Sequence, residues 1–352
     1  MIKLLRENKG WSQAKLAQEA DIARASISAI ETGKMSPSVH TALRIGRALG
    51  VSVEQLFGET KTMPFDRWTG ATSASEKRYW RARVGELNIA YPIESLPTGM
   101  LAPDGQLDQA EDLANIRSTD LSTSTLVVAT CDPLIGLLKD ALADKGIRLI
   151  ALMRTSRAAL RMLERGLIHV AGIHFGTTQS TDLNLDAALR LKTQSSYTLM
   201  RYANWTAGIA IHEDIDNMSL QQLFDGAYRW VNRPLGSSAR SSFDNLIRKY
   251  GSPTKIRGYE LEAPSHQAVA TFISTGSAQA GWTLETTATQ QGLGFRPVHT
   301  DLYDLCFSSE LAQDRRIQAL IECVQDLRFR QILDACPGIT AKHTGELIHA
   351  YQ

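Results

Sequence analysis

Five short helical patterns follow one another along the first 58 residues. Apolar residues recur there at helical spacing, and a glycine or a polar cap residue separates each pattern from the next. The predicted helices cover residues 1–8, 13–20, 24–31, 38–49 and 53–57. Ser12 is expected to cap the second helix, and Gly33 to end the third. Because only a tight turn at 21–23 separates the second and third helices, the pattern predicts a helix-turn-helix.

Residues 59–117 lack a sustained helical period. The stretch 59–83 is rich in Lys and Arg, and we expect a basic linker that ends in a helix around 76–83. Alternation of apolar and polar residues over 87–93 then predicts a strand, and several Pro and Gly residues after it predict turns. We therefore expect a small strand-and-turn module over 84–117 that serves as a spacer or a dimer contact.

From residue 118 to residue 352, short apolar runs alternate with helical patterns. Strands are predicted at 126–130, 148–153, 170–173, 227–231, 279–281 and 295–298. Helices are predicted at 134–145, 157–165, 238–250, 266–275 and 284–290, with one long closing helix at 314–335. This alternation is typical of parallel sheets covered by helices, so the body is predicted to be of the α/β class. Ligands of such sheets bind beyond the carboxyl ends of the strands, where the helices begin.

Composition agrees with a globular chain of several domains. The chain has 352 residues, 43% of them hydrophobic and 21% charged, which excludes wholesale disorder. The net charge of +1 is unevenly placed, because residues 1–83 hold 14 Lys/Arg and 8 Asp/Glu while residues 84–352 hold 24 and 29. A basic head on a mildly acidic body indicates that the head meets a polyanion.

The cysteines and the N-terminal segment bear on location and cofactors. Cys131, Cys306, Cys323 and Cys336 form no C-x-x-C pair, which argues against a zinc ribbon or a redox dithiol. Sparse cysteine in a chain of this length is typical of a cytoplasmic protein. The charged first residues do not resemble a signal peptide, and the weakly charged stretch 197–211 is too short to span a bilayer. We expect no metal, no cofactor and no membrane partner.

The motifs of the head resemble one DNA-binding family. Gly10-Trp11-Ser12-Gln13, Ile27-Ser28-Ala29-Ile30-Glu31-Thr32-Gly33 and Leu49-Gly50-Val51-Ser52-Val53 are similar to the Xre or lambda-repressor type of helix-turn-helix domain. The resemblance implies that the third helix enters the major groove and sets Arg24, Ala25, Ser28 and Ala29 against base edges. Gln13, Lys15 and Lys34 would then hold phosphates. The alternative is a helical protein-interaction module with a solvated basic face.

Polar residues occupy the strand-to-helix turns predicted in the body. Hydroxyls and backbone amides at helix starts suit an oxyanion or a carboxylate, although each serine alone is also an ordinary N-cap. The candidate ligand residues are Cys131, Asp132, Ser156, His174, Asn232, Arg233, Ser237, His266 and Tyr303. Asp132 either caps the following helix or meets an amine, and Cys131 is either a small buried residue or a reactive thiol. Arg233 is either a forked donor to the ligand or a surface cation.

The order of short motifs in the body resembles a second family. Cys131-Asp132-Pro133, Thr155-Ser156-Arg157-Ala158-Ala159-Leu160, Val170-Ala171-Gly172-Ile173-His174, Val231-Asn232-Arg233 and Tyr303-Asp304-Leu305 are similar to the periplasmic-binding-protein-like domain, which is related to molybdate-binding proteins. The resemblance spans about 120–340. It implies two lobes with a ligand cleft between them, one lobe over about 124–200 plus the C-terminal helix and the other over about 207–298. Trp282 departs from the small residue that is common in the family.

These observations predict an all-α five-helix head joined to an α/β body of the two-lobed type II periplasmic-binding-protein-like fold. The predicted function is a dimeric transcription regulator that binds a double-stranded DNA operator and responds to a small anionic ligand, an oxyanion such as molybdate or a small organic acid. One alternative makes the body an enzyme with Cys131, Asp132, His174 and His266 as acid, base or nucleophile. Because no nucleophile motif such as G-x-S-x-G occurs, we expect no enzymatic activity. A further alternative is a body that serves only for assembly.

Overall fold

The chain divides into two units, Met1–Met63 and Pro64–Gln352. The computed structural model describes residues 2–51, 53, 56, 65–70, 77–94, 99, 101–107, 120–180, 182–192, 195–215 and 217–350. The predicted helix at 53–57 lies mostly outside the described residues. Among those that are described, no helix is long and apolar enough to cross a membrane.

Four described helices form the first unit: α1 (Ile2–Asn8), α2 (Gln13–Glu19), α3 (Arg24–Glu31) and α4 (Val39–Leu49). They pack around Leu16, Ile27 and Ile45, which are fully buried. The side chain of Ser12 caps α2, and Gly33 follows α3 with a φ of +70°, a conformation that glycine adopts without strain. The predicted helix-turn-helix is therefore confirmed as a local structure.

A four-stranded sheet begins the second unit: β1 (Arg67–Trp68), β2 (Arg78–Val84), β3 (Leu87–Pro92) and β4 (Gly105–Gln106), in the order β1-β3-β2-β4. The predicted helix around 76–83 is wrong, because Trp80, Ala82 and Val84 alternate into the core as a strand requires. Strand β2 also crosses the expected division between linker and module at residue 83. The Tyr91 hydroxyl donates to the carbonyl of Leu167 at 2.6 Å, so this sheet packs directly on the body.

A nine-stranded mixed sheet forms the body, in the order β6-β5-β7-β11-β8-β10-β9 with β12 and β13 paired to β8. Its strands are β5 (Thr125–Thr130), β6 (Arg148–Met153), β7 (Val170–Ile173), β8 (Tyr197–Ile211), β9 (Trp230–Val231), β10 (Ala280–Leu284), β11 (Gly294–Ser308), β12 (Ile339–Thr340) and β13 (Leu347–Ala350). The predicted parallel pairing holds for β6-β5-β7 and for β10-β9. It fails at the centre, where β8 and β11 run antiparallel. Strand β8 is buried along most of its length, so no alternation marked it in the sequence.

The helices of the body are α5 (Ile135–Ala143), α6 (Ser156–Glu164), α7 (Leu183–Leu189), α8 (Leu220–Asp225), α9 (Ser238–Tyr250), α10 (His266–Ser274), α11 (Glu285–Gln290), α12 (Arg315–Gln325) and α13 (Leu327–Asp334). The single closing helix predicted at 314–335 is wrong. Asp326 is extended, with ψ of 132°, and its carboxylate accepts backbone hydrogen bonds at the start of α13. An aspartate that caps a new helix ends the preceding one.

Strands β8 and β11 join the two lobes of the body. Each has 15 residues, a length of about 50 Å, and their paired ends reach from Tyr197–Ser308 to Ile211–Gly294. Strands β5, β6 and β7 lie beside one half of this ribbon, and β9 and β10 beside the other. The β8–β11 register shifts between Pro297 and His299 and again between Tyr303 and Asp304. Such irregularities bend a ribbon, so the two lobes meet over its bulged centre.

Candidate functional site

Helix α3 presents a face of small and polar residues away from its core side. Arg24 and Ala25 are exposed, and Ser28 and Ala29 are half-buried. All four were predicted from the sequence to meet base edges, and they form one continuous surface because positions three and four apart share a helix face.

The residues predicted to hold phosphates have different surroundings. Lys15 and Lys34 are exposed, and Lys15 forms an ion pair with Glu19 at 2.7 Å. Gln13 instead donates to Glu31 Oε2 at 2.9 Å. Glu31 also accepts from Arg6 Nε at 2.7 Å, and this bond lowers its pKa. The side chain of Gln13 is therefore part of an internal network that joins α1, α2 and α3.

The nine candidate ligand residues of the body are all buried, with at most 4% of any side chain exposed. They come from turns and strands of both lobes. Those of the first lobe are Cys131 and Asp132 after β5, Ser156 at the start of α6, and His174 after β7, while Tyr303 lies on β11. Those of the second lobe are Asn232 and Arg233 after β9, Ser237 before α9, and His266 at the start of α10.

Contacts between the lobes bring several of these residues into one polar cluster. The rings of His174 and His266 lie 6.4 Å apart between centroids, and those of His174 and Tyr303 lie 6.3 Å apart. Cys131 lies near enough to His174 and Arg233 to raise the pKa of each. We call Cys131, His174, Arg233, His266 and Tyr303, together with Asp132, the inter-lobe cluster.

Arg233 is a buried cation, not a surface one. Its side chain is almost entirely enclosed, and burial lowers its pKa. Nη1 donates to the carbonyl of Ala263 at 3.2 Å, whereas Nε has no hydrogen-bond partner among the described residues. Nor does any carboxylate in the described part of the chain pair with this guanidinium. A buried charge without a counter-charge is costly.

His174 adds a second positive charge to the cluster. Its Nδ1 lies 3.5 Å from Asp301 Oδ2, and Asp301 Oδ1 lies 2.9 Å from His299 Nε2. Burial lowers the pKa of His174, but Cys131 and Asp301 raise it by more, to about 10. Burial raises the pKa of Asp301, but the neighbouring His174 and His299 lower it to about 2. The pair is therefore an imidazolium and a carboxylate at neutral pH.

Asp132 and Tyr303 complete the inter-lobe cluster. Asp132 Oδ1 accepts from the backbone N–H of Leu134 at 2.9 Å, so it holds the turn before α5. Burial raises the pKa of Asp132 to about 7, although the Leu134 N–H and the Tyr202 hydroxyl lower it in part. The Tyr303 hydroxyl hydrogen bonds to Thr130 Oγ1, and its ring stacks on Trp205 at 3.9 Å between centroids.

Three of the candidates bind other parts of the protein. Ser156 Oγ accepts from the backbone N–H of His174 at 3.1 Å, while the neighbouring Thr155 caps α6. Asn232 accepts from the backbone N–H of Arg233 at 2.8 Å. Ser237 caps α9. These contacts hold His174, Arg233 and the start of α9 in place.

A cleft of about 940 Å³ opens to the surface between the lobes, and of the inter-lobe cluster only His174 lines it. His174 and Ser237 line it from opposite lobes. Its charged lining residues are Arg157, Arg161, Arg190, Lys249, Asp186 and Asp301. The excess of cations favours entry of an anion.

The sequence analysis missed Asp301, Tyr202 and Thr283. Asp301 was within reach, because it lies two residues before Tyr303 on β11 and residues two apart share one face of a strand. Tyr202 and Thr283 lie in strands that are buried on both faces and carry no periodic signal. Among the described residues, no group of three His, Cys, Asp or Glu side chains is placed to hold a metal ion.

Comparison with known proteins agrees with this architecture. A family model described as the PBP superfamily domain matches residues 139–325, and one described as helix-turn-helix matches residues 2–56. The uncharacterized protein YvgK of Bacillus subtilis (strain 168) is 22% identical over 187 residues, which are 52% of this chain. The chain spans 60% of the length of YvgK.

Two further similarities concern the separate parts of the chain. The HTH-type transcriptional regulator YgzD of the same bacterium is 38% identical over 56 residues, 16% of this chain and 85% of that protein. The structure of PhnD1 from Prochlorococcus marinus in complex with methylphosphonate is 13% identical and has a TM-score of 0.42, over 65% of this chain and 94% of that one. From the family models, the chain belongs to the PBP superfamily domain family and carries a helix-turn-helix domain N-terminal to it.

Proposed function

We propose that this chain is a cytoplasmic, homodimeric transcription regulator that responds to a small molecule. Its helix-turn-helix binds a double-stranded DNA operator, and its inter-lobe cluster binds a small anion, an oxyanion such as molybdate or a small organic acid. Closure of the lobes on the anion changes the geometry of the two heads in the dimer. Two-fold symmetry then requires a roughly palindromic operator. The similarity of the head to YgzD supports the regulatory part of the proposal.

On the DNA side, α3 lies in the major groove. Arg24, exposed at the start of the helix, makes a bidentate contact to guanine, the strongest contact that this face offers. Ala25 and Ala29 meet thymine methyl groups, and Ser28 reaches a base edge. The exposed Lys15 and Lys34 hold phosphates. Gln13 joins them only if its bond to Glu31 is exchanged for one to a phosphate.

On the ligand side, one observation carries the proposal: Arg233 is buried in the inter-lobe cluster without a carboxylate among the described residues. The anion supplies the missing charge and accepts from Nε. The imidazolium of His174 faces the same space from the other lobe. Because the two cations come from different lobes, an anion between them favours the closed arrangement.

The cluster is a binding site and not a catalytic centre in this proposal. His174 is held protonated beside Asp301, so it cannot serve as a general base at neutral pH. An enzyme would consume its ligand, whereas a sensor returns it unchanged. Incubating the protein with each anion that binds and analysing the mixture by mass spectrometry separates the two.

Arg233→Ala tests the ligand site. In thermal-shift and calorimetric titrations with molybdate, sulfate, phosphate, lactate and propionate, we expect at least one anion to bind the natural protein. The substitution should weaken that binding by about 1.5–3 kcal/mol, the value of a hydrogen bond to a charged group. It should not lower the melting temperature of the free protein, because it removes an uncompensated buried charge. Arg328→Ala, an exposed arginine on α13, is the matched control. Stabilisation by the anion that survives Arg233→Ala would place the site elsewhere.

The regulatory half has a separate test. An operator selected from random-sequence DNA should be palindromic, and sedimentation should show a dimer in solution and on that DNA. The binding anion should change operator affinity in the natural protein and leave it unchanged in Arg233→Ala. A monomer on DNA, or an operator affinity indifferent to the anion, would contradict the proposal.

A further inference from the structure

His266 places a nitrogen of defined hydrogen-bonding character in the inter-lobe cluster. It is the first residue of α10, only 2% of it is exposed, and its ring lies 6.4 Å from that of His174. Arg233 is near enough to affect its ionisation. The ring therefore borders the space in which the proposed anion binds.

Thr283, on β10, determines which ring nitrogen carries the hydrogen. Its hydroxyl donates its single hydrogen to the backbone carbonyl of His266 at 3.1 Å. The same oxygen lies 3.4 Å from His266 Nδ1, and with its hydrogen already committed it can only accept there. Nδ1 must therefore be the protonated nitrogen of the ring.

The other nitrogen of the ring, Nε2, is then an unused acceptor. Burial, reinforced by the charges of Arg233 and His174, holds the pKa of His266 well below 6.5, so the ring is neutral at pH 7. A neutral imidazole protonated at Nδ1 has a bare lone pair at Nε2. That atom is buried and has no hydrogen-bond partner among the described residues.

Two of the orphan groups in the inter-lobe cluster are of opposite kind. Arg233 Nε is a buried donor that needs an acceptor, and His266 Nε2 is a buried acceptor that needs a donor. An oxyanion with no hydrogen, such as molybdate or sulfate, accepts a hydrogen bond from Arg233 Nε but leaves His266 Nε2 facing its lone pairs. Buried polar groups that stay unpaired weaken binding, so the site discriminates against such ions.

We propose that the ligand of this site carries a hydrogen-bond donor, a hydroxyl or an ammonium group, beside its anionic group, and that His266 Nε2 accepts from it. This inference rests on the proposed anion site at Arg233 and narrows its chemistry. The fitting class comprises protonated oxyanions, hydroxy acids and amino acids. Asp132 Oδ2 is a further buried oxygen of the cluster without a hydrogen-bond partner among the described residues, and it also disfavours a fully deprotonated, multiply charged ion.

Two sets of matched probes test this in the full-length protein at pH 7. Phosphate and sulfate are similar in size and shape, but only phosphate retains a hydrogen. Propionate, lactate and alanine share a carbon skeleton and differ by a hydrogen, a hydroxyl or an ammonium group. In calorimetric titrations we expect a donor-bearing member to bind at least tenfold more tightly than the member without a donor. Tighter binding of lactate would indicate a hydroxyl donor on the ligand, and tighter binding of alanine would indicate an ammonium donor.

Substitutions connect that preference to the ring. His266→Phe keeps a planar aromatic ring and removes the acceptor, so the ratio of affinities within the preferred set should fall to about one. Thr283→Val frees Nδ1, which lets the hydrogen move to Nε2, and the ratio should fall there as well. Thr198→Val, a buried threonine near the start of β8, should leave the ratio unchanged. Because each ratio is taken within one variant, a loss of stability does not distort it.

The outcomes separate the two proposals. Equal or tighter binding of sulfate or propionate, abolished by Arg233→Ala, would overturn the donor inference and leave the anion site intact. A preference for donors that persists in His266→Phe would also overturn it. If none of the five probes shows binding that depends on Arg233, the proposed anion site fails and the inference fails with it.

Discussion

Helix α3 of the head and the inter-lobe cluster of the body are built in opposite ways. The four proposed base contacts lie within six consecutive residues, 24–29, and none of them is fully buried. The nine candidate ligand residues are scattered from 131 to 303, and each is buried. One surface is made by a single helix, whereas the other exists only when two lobes meet.

The two regions differ in whether a buried arginine has a carboxylate partner. In the head, Arg6 is buried against Glu31 and its charge is neutralised within the fold. In the body, Arg233 is buried without such a partner among the described residues. Removal of one member of a buried pair is strongly destabilising, whereas a buried charge that has no partner is already retained at a cost.

Glu31→Ala should have the largest effect, because it leaves Arg6 buried without a counter-charge. We expect the head to lose about 3–5 kcal/mol of stability, enough to unfold so small a unit. The full chain should then fail to bind DNA while the body still binds its anion. Hydrogen exchange over residues 2–51 is the measurement. Glu7→Ala, which removes only an exposed carboxylate 3.5 Å from Arg6, should do little. Loss of anion binding in Glu31→Ala would refute the independence of the two regions.

Asp301→Asn should have the next largest effect, about 3 kcal/mol, because it leaves the His174 imidazolium without its carboxylate. The effect depends on pH. Because the pKa of His174 is raised to about 10, its contribution to stability is complete below pH 6.5 and is lost as the pH rises through 10. Because the pKa of Asp301 is lowered to about 2, its contribution to stability is complete above pH 3.8 and is lost as the pH falls through 2.

The difference in melting temperature between the natural protein and Asp301→Asn should therefore be greatest between about pH 4 and 6.5. Cys131, Asp301, His266 and Tyr303 are the titratable groups that face His174, and Cys131→Ser is the companion variant. If the difference is the same at pH 5.5 and pH 10, the two residues do not form a charged pair.

Arg24→Ala should lower operator affinity by about 1–3 kcal/mol and relax specificity at one base pair. Because Arg24 is exposed and makes no contact on which the core of the head depends, the melting temperature should stay unchanged. Binding to selected and to random DNA gives the measurement. An unchanged ratio between the two would show that Arg24 is not a base reader.

Lys34→Ala should have the smallest effect. A single exposed phosphate contact contributes little affinity at physiological salt, and its loss should reduce the slope of log affinity against log salt by about 1 for all sequences alike. A sequence-dependent loss would instead assign Lys34 to the bases. Together, the Arg24 and Lys34 variants distinguish base-specific DNA contacts of the head from non-specific phosphate contacts.

The local structure of the head followed from the sequence because its determinants are local. The cap at Ser12, the left-handed Gly33 and the inward spacing of Ile27 and Ile30 act within one or two helical turns, and all four appear in the structure as predicted. The predictions were wrong where contacts between residues distant in the sequence determine the local structure. The residues 78–84 form a strand because β3 pairs with them and the body covers them, not because of their own preference.

In the body, the sequence by itself determined which residue types follow each strand and which helices begin there. It could not show that no described carboxylate pairs with Arg233, that Asp301 faces His174, or that Thr283 sets the hydrogen of His266. Each of these relations joins residues that are 17 or more positions apart, and burial alters their chemistry only after the lobes meet. The sequence thus determined most of the helices, the strand-to-helix turns and the family of this protein. The tertiary structure decided charge, protonation and the direction of hydrogen bonds, because these depend on which distant groups exclude water together.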